Sequence, residues 1–171
     1  GPSTQHDQST QTIETVSAYS RNRLAPIWTS TLNLADSRDK LDANITAYPY
    51  YVTSKGQQAS WQNDLALAEH WTLTLAAEHL RQTIDSDTTY STTKRTIDTL
   101  RAGTVGQIGA HQVQVNARND DYSDFGNHST WYAGYGYALD AHWKLTASAS
   151  TAFNAPTFND LFYPWGGNPD L

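Results

Sequence analysis

The side chains able to ligate a metal or move protons are six histidines and seventeen carboxylates in 171 residues. Three of the histidines, His70, His111 and His142, occur at one kind of place. Each closes a short turn: Ala68-Glu69-His70, Gly109-Ala110-His111 and Asp140-Ala141-His142. Three imidazoles at equivalent turns suggest a metal. Geometry argues against one, because successive hairpin turns stand about 9–10 Å apart, whereas a shared zinc needs each nitrogen at about 2 Å. Asp36, Asp39 and Asp42 are interleaved with Arg38 and Lys40, and Asp120, Asp121 and Asp124 form a second group. Calcium takes such oxygens, but the interleaved cations read as solvated loops. No metal and no cofactor are expected. G-x-S-x-G, P-loop and dinucleotide fingerprints are all missing, so the chain is not read as an enzyme. Without cysteine there is neither a disulfide framework nor a thiolate site.

Binding chemistry is concentrated in aromatics. The last stretch, residues 146–171, reads TASASTAFNAPTFNDLFYPWGGNPDL. It starts as an alternating strand and becomes a loop punctuated by Asn-Ala-Pro and Gly-Gly-Asn-Pro, which break regular structure. Between the breaks lie Phe158, Leu161, Phe162, Tyr163 and Trp165. Such a loop is costly to leave in water, so it packs on something or binds something. A second aromatic cluster, Tyr48-Pro49-Tyr50-Tyr51, lies in a long polar segment over 38–56.

The elements that would position these loops are strands. Period-two alternation runs through 28–36, 57–67, 71–84, 112–121, 128–139 and 143–152, with weaker segments at 11–20 and 94–108. That gives about eight antiparallel strands of roughly ten residues, joined alternately by short turns and long loops, as in outer-membrane barrels. Trp28, Trp71 and Trp143 each open a strand after a short turn, on the parity of the apolar residues that follow. Indoles in that position suit a membrane–water interface. Trp61 and Trp131 would supply a second girdle, and the Thr, Gln, Asn and Ser parity a hydrated lumen.

The totals fit this reading. The mean hydropathy of −0.62 looks soluble, but barrel strands are apolar only on alternate residues. A net charge of −6 without a basic stripe gives no reason to expect nucleic acid. Alternation does not say which face is inside. A soluble lipocalin-like ligand-binding barrel would bury Leu32, Leu73, Val115 and Leu145, and a stand-alone small outer-membrane barrel is a further alternative.

The runs ARNDDYSDFGNHSTWYAGYGY and WKLTASASTAFNAPTFNDLFYP, followed by GGNPDL, resemble the barrel of TonB-dependent outer-membrane receptors, most of all the cobalamin (vitamin B12) branch. The resemblance rests on Phe153-Asn154-Ala155-Pro156, Leu161-Phe162 and Gly167-Asn168-Pro169-Asp170-Leu171. It implies an all-β, up-and-down antiparallel barrel segment belonging to a 22-stranded transmembrane barrel of the Gram-negative outer membrane. On that reading Gly1-Pro2 is a cleavage scar, 1–10 a disordered or loop start, and 11–171 a partial barrel without plug. The chain alone would then not transport. Its partners would be lipid or detergent and, in the intact receptor, cobalamin or another large ligand such as a siderophore or haem. TonB would be reached only through the absent plug segment. By position, Trp165 and Tyr163 are the implied ligand-contacting residues, joined by Phe162, Tyr50 and Tyr51. Unpaired strand edges are costly in lipid, so a closed eight-stranded barrel or an edge-paired homodimer is expected.

Overall fold

The computed structural model describes residues 7–44 and 49–162. They form one eight-stranded antiparallel sheet in which every strand pairs with its neighbours in sequence. The strands are β1 (Gln8–Ala25), β2 (Trp28–Asn44), β3 (Tyr50–Ala68), β4 (Trp71–Ser86), β5 (Lys94–Ile108), β6 (His111–Tyr122), β7 (Gly126–Ala138) and β8 (Lys144–Ser150), followed by a one-turn helix α1 (Phe158–Phe162). The all-β up-and-down reading therefore holds.

Most strands are longer than alternation suggests. The segment over 38–56 is mostly strand, since β2 runs to Asn44 and β3 starts at Tyr50. Arg21–Ala25, beyond the weaker alternating segment at 11–20, also belongs to β1. Beyond the apolar band both faces are hydrated, so the contrast that reveals a strand in sequence disappears while ladder pairing continues. Asp36, Asp39 and Asp42 thus lie in β2 and not in a loop, and Asp120 and Asp121 lie in β6.

Ladder register settles which residues share a face. Leu32 stands opposite Trp61, Trp61 opposite Ala77, and Ala77 opposite Leu100. Another row runs Leu75, Ala102, Ala117, Trp131. On this face Trp28 is 37% exposed, Leu32 47%, Trp61 52%, Val115 44% and Leu145 60%, while Leu73 is half-buried, so none of the side chains that a soluble barrel would place inside is buried in this sheet. The apolar stretch from Trp71 to Ala77 covers about 20 Å of strand, close to the ~25 Å lipid-facing band of such barrels. The tryptophans keep their indole N–H satisfied from the neighbouring strand: Trp28 to Asn63 Oδ1 (2.9 Å), Trp61 to Ser30 Oγ (2.9 Å) and Trp71 to Thr104 Oγ1 (2.7 Å). Trp71 lies flat across Gly106, where a Cβ would come within 2.2 Å of its ring. Gly109, at φ +56°, makes the tight turn between β5 and β6. The opposite face carries Thr72, Thr74, Gln112, Gln114 and Asn116.

Closure does not occur. The ladder ends at β1 on one side and β8 on the other, and these two strands do not touch. β8 is exposed throughout, and β1 everywhere except its last residue. The self-closed eight-stranded barrel is therefore corrected to an open wall, with the hydrogen-bonding edges of β1 and β8 left free. Seven inter-strand ladders run in strict sequence order.

If the tryptophan face meets lipid, a charge there is costly and a charge on the other face is not. Leu75→Arg should lower the stability of vesicle-inserted protein by about 2–4 kcal/mol, and Gln114→Arg by less than ~1 kcal/mol. Urea titration in lipid vesicles measures both, and equal losses would reverse the assignment of faces.

Candidate functional site

The connections after β1, β3, β5 and β7 lie at one end of the sheet, three of them the two-residue turns 26–27, 69–70 and 109–110, and those after β2, β4 and β6 lie at the other, the long-loop end. At the long-loop end, on the polar face, Arg95 is the organising residue. It is the second residue of β5, and its side chain is 5% exposed. Its Nε donates to Asp124 Oδ2 at 2.7 Å, and its Nη1 donates to the backbone oxygen of Pro156 at 3.0 Å. The guanidinium lies over the Phe158 ring (4.6 Å) and the Phe125 ring (5.1 Å). A buried, stacked and forked cation of this kind requires arginine rather than lysine. Asp124 is 6% exposed, and Arg95 Nη2 and Asp124 Oδ1 are buried without a protein partner among the described residues.

Rings extend the cluster. Tyr122 stacks on Phe125 at 4.1 Å, and His128 stacks on Phe153 at 3.9 Å with 9° between planes. Phe125 touches Phe153 at 6.0 Å, which joins the β6–β7 turn to the segment that follows β8. That segment then enters α1 through a reciprocal cap. Asp160 N–H donates to Thr157 Oγ1 (3.2 Å), and Thr157 N–H donates to Asp160 Oδ2 (2.8 Å). The Thr157 backbone N–H, and then its hydroxyl, hold the Asp160 carboxyl below its ordinary pKa. Leu161 is 2% exposed and anchors the turn. Deeper on the same face, Asp120 accepts from Thr99 Oγ1 and from Arg118 Nε. The arrangement can bind and position a ligand. Among the described residues there is no group of three or more potential metal ligands.

The candidate ligand residues fall in different places. Phe162 is half-buried in α1, 6.2 Å from Phe158. Tyr50 and Tyr51 are adjacent on a strand and so point to opposite faces. Tyr50 pairs with Ala43 on the polar parity, whereas Tyr51 pairs with Asp42 on the tryptophan parity. Tyr163 and Trp165, like Tyr48, lie outside the described residues. The turn histidines have local roles: His111 Nδ1 meets the Tyr135 hydroxyl at 2.6 Å, and His70 and His142 sit near Glu69 and Asp140. The two aspartate groups are split by strand parity and by partners, Asp36 to Gln57, Asp39 to Gln11 and Asp42 to Lys40. Sequence reasoning misses Arg95, Phe125, His128 and Phe153 as site residues, and it reads Asp124 as a solvated loop carboxylate. Their one visible signal is Asn154-Ala155-Pro156, whose proline oxygen is what Arg95 holds.

Comparison with known proteins gives the same architecture. The family model "TonB dependent receptor-like, beta-barrel" matches residues 4–171. The chain belongs to that family. Its place is therefore the Gram-negative outer membrane. It is 28% identical over 171 residues to the vitamin B12 transporter BtuB of Photobacterium profundum, covering 99% of this chain and 28% of that protein. It is 39% identical over 132 residues to the vitamin B12 transporter BtuB of Vibrio vulnificus, covering 70% of this chain and 21% of that protein. The chain thus spans about a quarter of the length of these relatives. The siderophore receptor PirA from Pseudomonas aeruginosa superposes with a TM-score of 0.58 at 16% identity, over 86% of this chain and 36% of that one, which shows the shared fold. These relatives are transporters and receptors and not enzymes.

Removing Arg95 strands a buried carboxylate. Arg95→Ala should cost about 3–5 kcal/mol locally and release residues 151–162, seen as faster hydrogen exchange there with the β2–β4 ladders unchanged. The Asp160 cap contributes stability above the ordinary carboxylate pKa and loses it as pH falls through the depressed value. The protection factor of the Leu161 amide, its exchange rate relative to an unstructured amide at the same pH, should fall on acidification, and Asp160→Asn should abolish that pH dependence.

Proposed function

We propose that this chain forms a section of the wall and extracellular mouth of a TonB-dependent transporter for cobalamin or a ligand of similar size. The observation that carries the reading is the Arg95 cluster, which folds an aromatic segment back over the lumen end of a membrane barrel wall. In this reading Trp165, Tyr163, Phe162 and Tyr50 contact the ligand, with Tyr50 on the polar parity of β3. Large flat aromatics offer apolar area with little conformational entropy to lose, and so suit a corrin-sized ligand. The vitamin B12 transporters among the relatives favour cobalamin over an iron–siderophore. The free edges of β1 and β8 would pair with further strands of a barrel wall rather than with a second copy of the chain. Energy coupling to TonB would pass through a plug and not through these strands.

A chimera tests the reading. Residues 4–171 replace the matching section of a vitamin B12 transporter, and cobalamin binding is measured by titration calorimetry on the purified, folded barrel. Binding should survive, and Trp165→Ala with Tyr163→Ala should weaken it by about tenfold or more, the loss typical of truncated aromatic anchors. A folded chimera that binds a ferric siderophore and no cobalamin would overturn the ligand assignment.

A further inference from the structure

The polar face carries, at its short-turn end, a relay of side chains that the transport reading does not use. Lys144 opens β8 and stands opposite Ala138. Its side chain runs back across β7 over Gly136, where an added Cβ would come within 2.7 Å of Lys144 Cε. Its Nζ donates to Gln112 Oε1 on β6. Gln112 Nε2 donates in turn to Gln107 Oε1 on β5 (3.4 Å), and Gln107 Nε2 donates to the backbone oxygen of Gly109 in the β5–β6 turn (3.3 Å). Register sets up this alignment: Gln107 is opposite Gln112, Gln112 opposite Gly136, and Gly136 opposite Thr146.

The direction of the relay is fixed by its first member. An ammonium group has donors and no acceptor, so Gln112 must offer it the amide oxygen. That leaves the Gln112 amide nitrogen for Gln107, which must then offer its own oxygen. Each amide oxygen along the chain thereby has a donor, and the valences left over on Lys144, Gln112 and Gln107 are N–H groups. Bonds in such a chain polarise one another. All three side chains are exposed, so these N–H groups are open to a ligand.

Beside the relay the sheet is hollow. A pocket of about 630 Å³ lies against Gln107, Gln112 and Lys144, where β7 contributes Gly134 and Gly136. Among the described residues no carboxylate lines it, while His70 does and adds positive charge when protonated. The carboxylates around it are engaged elsewhere. Asp140 Oδ1 accepts from the His142 and Trp143 N–H groups in its own turn, Glu69 lies 3.9 Å from His70 Nε2, and Asp64, on the same face of β3, accepts from Gln62 and Thr74. Lys144 makes no ion pair among the described residues.

We infer that this end of the polar face is a binding site for an oxyanion, a carboxylate or phosphate group. An oxyanion offers only acceptors, and it takes the free N–H groups of Lys144 and Gln112, the first as a charge-assisted bond. Lys144 supplies the charge, the two glutamines the orientation, and Gly136 the room in which Lys144 lies. A free oxyanion and an acidic side chain of a segment lying on this face share that chemistry. The site is independent of which ligand is transported.

Side-chain amide NMR of the full chain refolded in detergent micelles tests it. The probes are acetate, inorganic phosphate and a capped glutamyl tripeptide, each titrated at constant ionic strength. The Gln112 and Gln107 amide signals should shift together and saturate. Lys144→Gln should weaken binding about tenfold or more, the loss of a hydrogen bond to a charged group. Gly136→Ala takes the space in which Lys144 lies and should weaken binding as well. Gln112→Glu keeps a partner for Lys144 but replaces donors with acceptors, and should abolish binding with the lysine still in place. Lys94→Gln, at the opposite end of β5, should leave binding unchanged. Tighter binding of the tripeptide than of acetate would assign the site to an acidic side chain, and equal or weaker binding to a free oxyanion; either supports the site. Shifts that never saturate, or that sodium chloride reproduces, would overturn the proposal, as would undiminished binding in the Gln112→Glu protein.

Discussion

A backbone amide in hydrocarbon has no water to bond, so each N–H and C=O crossing the band must find a partner on a neighbouring strand. This requirement organises the protein more than any apolar core does. The sheet is a single layer, and few of the described side chains are buried. Stability in the plane comes from seven consecutive antiparallel ladders. Once those ladders are in register, period-two geometry alone puts Trp, Leu, Val and Ala on one face and Thr, Gln and Asn on the other. The membrane then supplies for the first face what a second layer would supply in a soluble sandwich.

The lumen end follows a different rule. Beyond the apolar band the strands remain paired but their side chains meet water on both faces, so local order requires specific polar contacts. Arg95 provides them through one charge-assisted bond to Asp124, one bond to Pro156 and two aromatic faces. Taking this ion pair out of water is expensive, and removing either partner is worse than having neither. Three connections that are far apart in sequence are thereby held together: the start of β5, the β6–β7 turn and the segment leading into α1.

Sequence determined the strand count, the antiparallel order, the tryptophan face and the family, because each is written in local periodicity, in turn spacing or in the motifs of residues 153–171. It also singled out the aromatic loop as a candidate for binding chemistry. It did not determine strand length, since a hydrated strand has no burial contrast to leave in the pattern, and Asp36, Asp39 and Asp42 were misplaced for that reason. The separation of Tyr50 from Tyr51 needed the register, because only pairing shows that the chain is still a strand there. The Arg95 cluster and the openness of the sheet were decided by tertiary structure alone. The first joins residues 61 positions apart. The second depends on how all eight strands are laid side by side, and no single strand carries a signal of whether the outermost two will meet.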